Sequence, residues 1–207
     1  MCAIVLARQR PANLRESAAR HFWLLLMALL TFNALTPIAA RAREQTQAID
    51  LITHIFGMAR DSASSEAEFR DSFDMVAIAR AVLGARWGSA SAAERDEFLS
   101  ALQQNIAANI RLRIGGKASG VDVLGTRDLS NGDVLVLTRV RSEIDGIVAM
   151  DWRTRRCGAH RCVVDIIVGG ASISIQRRDQ YAAYLDVNGG SITDLIPIMQ
   201  LPQRGRQ

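Results

Sequence analysis

Hydrophobic positions repeat with a helical period through the first half of the chain. Residues 43–60 and 66–86 each carry apolar side chains at three- and four-residue spacing, which predicts two amphipathic helices. A third helix is predicted after Ser91, because Ser91 and Glu94 have the spacing of a capping box. In that motif the serine hydroxyl accepts a hydrogen bond from the N3 amide, and the glutamate accepts one from the N-cap amide.

The period of the pattern changes from 3.6 to 2 after Gly120, which predicts strands. Tight turns are expected at Asn131-Gly132 and Asp145-Gly146, because asparagine, aspartate and glycine tolerate positive φ angles. Between residues 157 and 162 the composition predicts a loop. The predicted strands cover residues 121–129, 133–142, 147–155 and 163–168.

Helical spacing returns at residues 172–188 and 191–200, with Ser172 as the expected N-cap of the first of these two helices. The order is therefore helices, an antiparallel meander, then helices. Helices kept apart from an antiparallel sheet in this way predict an α+β fold with helices packed on one sheet.

The first 42 residues have the organisation of a secretory signal peptide. An arginine-bearing segment precedes the uncharged run from Phe22 to Thr36, which as a helix spans about 22 Å, short of the ~30 Å hydrocarbon core of a bilayer. Ala40 and Ala42 provide the small residues of a cleavage site. We expect a signal peptide over 1–42 and one mature domain over 43–207; an uncleaved N-terminal anchor is the alternative.

The net charge of +4 and the pI near 9.5 change little in this picture. Residues 1–42 hold five arginines and one acid, out of 25 basic and 21 acidic residues, so the remainder is formally neutral. Nucleic-acid binding needs clustered cations that displace counterions. No nucleic-acid partner is therefore expected.

The cysteines are consistent with export. Cys2 lies in the leader, which leaves Cys157 and Cys162 as a pair for which an oxidising compartment favours a disulfide. A bridge closing so short a loop contributes on the order of 2 kcal/mol in the chain-entropy model. Free thiols are the alternative. A zinc site is not expected, because His160 would add only a third ligand where tetrahedral zinc needs four.

Two stretches of the chain resemble the MlaC (toluene-tolerance) family. The first is FDMVAIARAVLGARW at 73–87, followed by AAERDEF at 92–98, and the second is VDIIVGGASIS at 164–174, followed by Arg178, Asp179, Gln180 and Tyr181. A terminal motif is matched by Gly190, Asp194, Leu195, Ile196 and Met199. The resemblance covers roughly residues 50–200. It departs from the family pattern at Arg177, where a tyrosine is usual, and over 111–120, which lack an expected aromatic residue. The hopanoid-associated branch of the family is an alternative.

The resemblance implies a curved antiparallel sheet covered by helices, a nuclear-transport-factor-like cone, which encloses an apolar pocket. It further implies a monomeric periplasmic carrier that binds phospholipid tails without a cofactor. Such a carrier moves lipid between an outer-membrane lipoprotein complex and an inner-membrane ABC transporter, and thereby serves outer-membrane lipid asymmetry. A hopanoid-related lipid is the alternative cargo.

The candidate lipid-binding residues are the aliphatic positions of the predicted helices and strands, with Trp152 beside them and Arg178 as a possible phosphate contact. Leu137 and Val140 alternate along one strand, so at most one of them points inward unless a bulge intervenes. The full set is Val76, Val82, Leu83, Leu102, Ile106, Ile110, Leu137, Val140, Val148, Met150, Trp152, Val164, Ile166, Val168 and Arg178.

Two other functions stay open at this level. One is an enzyme on a similar cone that uses Asp151 or Asp165 as a cavity acid or base. The other is a structural module of the cell envelope with a filled core. The sequence carries no legible nucleophile, phosphate-loop, dinucleotide or metal-ligand motif, so an enzyme is not the expected function.

Overall fold

The structure is a computed structural model of the chain, and it describes residues 38–61, 66–115, 118–142 and 146–199. The chain divides into two compact units, residues 1–43 and 44–207. Residues 38–43, the described part of the first unit, are helical and exposed. The rest of the predicted signal peptide lies outside the described residues. Within the described ranges, every helix is too short or too polar to cross a membrane.

Helices make up the first half of the second unit, as the apolar spacing predicts. The segment begins with a helix over 44–60, here called α1. It ends in a π-helical turn, Arg111–Gly115, that leads into the sheet. The helices between are α2 (Glu66–Asp71), α3 (Met75–Leu83), α4 (Ala85–Ser89) and α5 (Ala92–Ile110).

The predicted capping box at the start of α5 is confirmed. The Ser91 hydroxyl accepts from the Glu94 amide at 3.3 Å, and the Glu94 carboxylate accepts from the Ser91 amide at 2.8 Å. The same carboxylate also accepts from the hydroxyl of Ser191, which ties α5 to the C-terminal segment. These bonds, the one from Ser191 first and those from Ser91 next, lower the pKa of Glu94 to about 2.

The prediction of one continuous helix over 66–86 is wrong, because the chain breaks twice. At the first break Phe73 forms a bridge with Val163: the Val163 amide donates to the Ser72 carbonyl at 2.9 Å, and its carbonyl accepts from the Asp74 amide at 3.0 Å. At the second, Gly84 adopts a φ of 56°, which ends α3. The pairing with a distant strand therefore overrides the local helical pattern.

Five antiparallel strands form one sheet in sequential order. The predicted turn at Asn131-Gly132 joins the first two strands, and Gly132 has the positive φ of 82° that a tight turn requires. The predicted meander is thus confirmed. The strands are β1 (Ala118–Asp128), β2 (Val134–Ser142), β3 (Gly146–Cys157), β4 (His160–Val168) and β5 (Ala171–Ser172).

The loop predicted over 157–162 is wrong, because β3 and β4 stay paired up to Cys157 and His160. A two-residue turn connects them, and Gly158 in that turn has a φ of 66°. The predicted disulfide is present: Cys157 and Cys162 are bridged, with their Cα atoms 5.8 Å apart. The disulfide therefore joins the two strands of a tight hairpin.

Irregular pairing bends the sheet. In β4 the partners Arg153↔Asp165 and Thr154↔Val163 leave Val164 as an extra residue, and β1 has two further register shifts. Such bulges bend and twist the strand that carries them. The predicted fold class, helices packed on a curved antiparallel sheet, is confirmed.

The C-terminal segment returns to helix directly after β5. Ser172 is the N-cap of the next helix, as predicted, and its hydroxyl accepts from the Ile175 amide at 3.1 Å. That hydroxyl donates in turn to the carboxylate of Asp165 at 2.6 Å. The segment comprises α6 (Ile173–Asn188), a 3₁₀ turn (Ile192–Leu195) and α7 (Ile196–Met199).

Candidate functional site

One face of the sheet packs against the helices and forms the core. In β2, Val136 and Val140 are buried on this inner face, while the alternate residues Leu137 and Arg139 lie on the outer face. The pairing between β2 and β3 runs without a register shift, so no bulge turns Leu137 inward. Of the two candidates that the sequence left open, Val140 is therefore the inward one.

The two ends of the sheet differ, and we name them by their turns. The β1–β2 and β3–β4 turns lie at one end, here called the closed end. The opposite end carries the β2–β3 and β4–β5 turns and the start of β1, since Ala118 pairs with Ser142, and Ser142 pairs with Gly146. We call it the open end, because the inner face is less completely covered there.

At the closed end the inner face is fully covered. Trp152 of β3 is 0% exposed, and its ring makes an edge-to-face contact with Phe56 of α1, with 5.4 Å between the ring centres. The indole Nε1 donates to the hydroxyl of Thr138 at 3.3 Å. Val163 beside it is also fully buried. This half of the inner face is an ordinary packed core.

Polar contacts anchor α1 at the closed end. The buried guanidinium of Arg161 donates to the Thr154 hydroxyl at 3.1 Å and to the Thr154 carbonyl at 2.9 Å. It also pairs with Glu44, while the neighbouring Gln45 donates to Asp128 at 3.0 Å. Sequence reasoning missed Arg161, because a strand arginine gives no local sign that it is buried.

At the open end the inner face is aliphatic and only partly covered. Val148 pairs with Val140 and so faces inward, yet it is partly exposed. Ile166 and Val168 of β4 share this face, through their pairing with Trp152 and Met150, and they are also partly exposed. The structure therefore brings a group of the predicted lipid contacts together at an incompletely covered apolar surface.

Most of the helical candidates lie within the core cluster. Val82 and Leu83 of α3 and Leu102 and Ile110 of α5 are buried, and Ile106 is half-buried against the same cluster. Whether lipid reaches them stays a prediction.

Four candidates lie away from the inner face of the sheet. Leu137 is on the outer face, and Val164 is the extra residue of the β4 bulge. Arg178 is exposed on α6, near Gly84. Val76 is exposed and lines a separate cleft of about 830 Å³ beside the disulfide. That cleft has charged walls, which include Arg70, Asp74 and Arg156.

Neither carboxylate of the enzyme alternative lies on the inner face. Asp151 alternates with Met150 and Trp152, which places it on the outer face. Asp165 pairs across from Arg153 on that same face, and its carboxylate accepts from the Ser172 hydroxyl and, at 3.2 Å, from the Ser174 amide. The start of α6 therefore supplies the hydrogen bonds of this carboxylate. Among the described residues, no three potential metal ligands cluster.

A buried carboxylate organises the charges at the closed end. Asp133 accepts from Arg153 Nε at 2.6 Å and from Arg155 Nε at 3.0 Å, and Asn131 donates to it at 2.8 Å. Burial alone would raise the pKa of Asp133, but the hydrogen bonds from Arg155, Asn131 and Arg153 outweigh it and lower the pKa. Asp133 is therefore ionised when the protein is folded.

Replacing Asp133 with asparagine is expected to lower the free energy of unfolding by about 1–3 kcal/mol at neutral pH, since hydrogen bonds to charged groups are lost. The pKa of the folded state lies below the ordinary 3.8. The stabilisation by the carboxylate is therefore complete well above pH 3.8, and it disappears as the pH falls through the folded-state pKa. Urea denaturation of the wild type and the Asp133 variant between pH 7 and pH 3 measures the difference in their free energies of unfolding.

The matched control is Asp122→Asn, which removes an exposed ion pair with Arg141 and should change the free energy of unfolding by under about 1 kcal/mol. Equal losses in the two variants would contradict the assignment.

The fold and the inner face define a class: a helix-covered, curved-sheet domain whose aliphatic inner face is open at one end. Residues 58–200 match the MlaC protein family. This match spans more than half of the chain, so the protein belongs to the MlaC family.

A solved structure has a similar fold. It is a phospholipid-binding protein from Ralstonia solanacearum in complex with a phospholipid, with a TM-score of 0.55 and 18% sequence identity. The similarity covers 75% of this chain and 94% of the other. A search of curated proteins found no significant match.

Proposed function

We propose that this protein is a periplasmic lipid carrier, which holds the acyl chains of a phospholipid between the sheet and the helices at the open end. The observation that carries the proposal is the partly covered aliphatic surface of Val148, Ile166 and Val168. Membership of the MlaC family and the likeness to a structure that contains phospholipid support it.

The energetics of burial suit a carrier that makes and breaks no covalent bond. Burial of one methylene contributes about 0.8 kcal/mol relative to water, so burial of two acyl chains contributes a free energy on the order of 20 kcal/mol. Spontaneous escape into water is then negligible. Exchange with a bilayer is different, because both environments are apolar and the net free energy is small. Release is therefore expected only where the carrier meets a membrane or a membrane-bound partner.

The proposed route runs between an outer-membrane lipoprotein complex and an inner-membrane ABC transporter, in keeping with the family resemblance. The leader-like sequence of residues 1–42 supports export to the periplasm. The disulfide between Cys157 and Cys162 is consistent with an oxidising compartment.

A carrier is favoured over an enzyme by the placement of the carboxylates. Asp151 and Asp165 lie on the outer face of the sheet, and Asp165 is occupied at the start of α6. A substrate held at the inner face would not meet either group.

Gentle purification followed by lipid extraction and mass spectrometry tests the proposal. We expect about one phospholipid per protein. A hopanoid in its place would assign the chain to the hopanoid-associated branch. Turnover of a small substrate by delipidated protein would favour the enzyme. Protein that neither contains nor takes up lipid would contradict the carrier and support the structural module of the cell envelope instead.

A further inference from the structure

The first strand of the sheet has a long free edge. β1 stands at the end of the strand order, and within the described ranges only β2 pairs with it. An unpaired strand edge presents a row of backbone N–H and C=O groups that can bind another strand. Two apolar side chains of β1 are also exposed: Leu124 is 53% exposed and Val123 is 38% exposed. This edge can therefore accept a strand from a second molecule.

A bulge in β1 places Asp122 and Arg127 on the same face of the sheet. In a regular strand, residues five apart point to opposite faces. The register shift that follows Val123 inserts one extra residue between them. Asp122 therefore pairs with Arg139 of β2, on the outer face. Arg127 pairs with Leu135, which lies on the same face because it is four residues from Arg139 along β2.

The two charged side chains differ in their contacts within the molecule. Asp122 forms an ion pair with Arg141, and the Asp122 side chain is 47% exposed. Arg127 is exposed and has no ion-pair partner among the residues that the structure describes. A carboxylate from another molecule could therefore reach Arg127 without breaking an existing contact of that arginine.

We propose that β1 pairs with β1 of a second copy of this chain, in antiparallel orientation about a two-fold axis between Leu124 and Gly125. In this register Asp122 of each copy lies opposite Arg127 of the other, so two ion pairs form across the edge. Bulges commonly protect edge strands from pairing. Here the bulge lies at the axis, and it is the feature that brings the opposite charges onto one face.

The residues between the charges also match in this register. Val123 lies opposite Thr126, and both share the inner face through their pairing with β2. Leu124 lies opposite Gly125, where no atom beyond the chain neighbours comes within 4 Å of the position that a Cβ would occupy. The exposed leucine of each copy therefore has room above the glycine of the other.

Self-complementarity favours a second copy over an unrelated strand. The six residues from Asp122 to Arg127 supply both members of every pair, as a two-fold interface requires. The contact is one strand wide and buries less than the ~800 Å² per partner of a standard interface, so we expect a weak dimer with a dissociation constant on the order of 100 µM. This differs from the monomer that the family resemblance implies. Antiparallel pairing directs the open ends of the two copies in opposite directions.

Sedimentation equilibrium of the protein purified as the cell produces it, from about 10 µM to about 1 mM, tests the inference. Arg127→Asp and Asp122→Arg each place like charges opposite one another, and each should weaken the dimer at least about tenfold. An equimolar mixture of the two variants should regain the dimer, because one variant contributes two aspartates to the paired edge and the other contributes two arginines. Both variants should keep the wild-type circular dichroism spectrum.

Arg80→Asp is the matched control, because it makes the same change of charge at an exposed position of α3. That helix packs against β4, three strands away from β1. The substitution should leave the dimer unchanged, and equal weakening by it would overturn the inference. So would wild-type protein that stays monomeric at about 1 mM, a dimer that neither charge reversal weakens, or a mixture that fails to regain the dimer.

Discussion

Replacing Trp152 with alanine is expected to lower the free energy of unfolding by about 3–5 kcal/mol. The indole is fully buried, packs edge-to-face on Phe56, and donates its N–H to Thr138. Its removal leaves a cavity beneath α1 and an unused hydroxyl acceptor. Urea denaturation followed by circular dichroism measures the loss without depending on tryptophan fluorescence.

Trp87→Ala is the control for this prediction. Trp87 is only half-buried in the middle of α4, where the centre of its ring lies 5.3 Å from the guanidinium carbon of Arg95. Its loss should destabilise the protein clearly less than the loss of Trp152. Similar effects in the two variants would show that the closed half is not the stable part of the core.

Replacing Val168 with tryptophan is expected to reduce bound lipid from about one molecule per protein to less than a tenth of that. Val168 faces inward at the open end and is partly exposed, so a larger ring occupies the space proposed for an acyl chain without entering the packed core. Quantitative mass spectrometry of the extracted lipid provides the measurement.

Ile167→Trp is the matched control, one residue away on the opposite face of β4. It adds the same ring to the same strand and should leave the lipid content near one per protein. Both variants should keep the wild-type circular dichroism spectrum. If the Val168 variant is folded and fully loaded with lipid, the site lies elsewhere in the protein.

The elements that depend on neighbouring residues could be predicted from the sequence. The capping box of Ser91 and Glu94 and the turn at Asn131-Gly132 are each complete within four residues. The order of helices, meander and helices also follows from the periodicity. These features need no knowledge of the tertiary structure.

The errors arise where distant residues decide the local structure. The helical pattern of 66–86 contains nothing to show that Phe73 pairs with Val163, ninety residues further along. The composition of residues 157–162 indicates a loop, but strand pairing continues to Cys157 and His160 and reduces the turn to two residues.

The candidate site could be predicted only in part, because a period of two defines two faces without saying which is inward or how well each is covered. The structure resolves this for Leu137 and Val140 by the pairing of β2 with β3. It also separates Trp152, in the closed half, from Val168, in the open half. Coverage depends on where α1 lies, and that position is set by contacts between residues far apart in the sequence, such as the pair of Arg161 with Glu44.

The location of Trp152 has a consequence for the size of the cargo. From Gly146 at the open end to Trp152 the strand rises about 20 Å, whereas the hydrocarbon of one leaflet is about 15 Å deep. The indole would then act as a floor for the acyl chain of the proposed function, about 5 Å beyond the end of a chain as long as one leaflet is deep. Chains longer than the distance to the indole would have to bend or project from the mouth, so the position of one aromatic ring would set an upper limit on chain length.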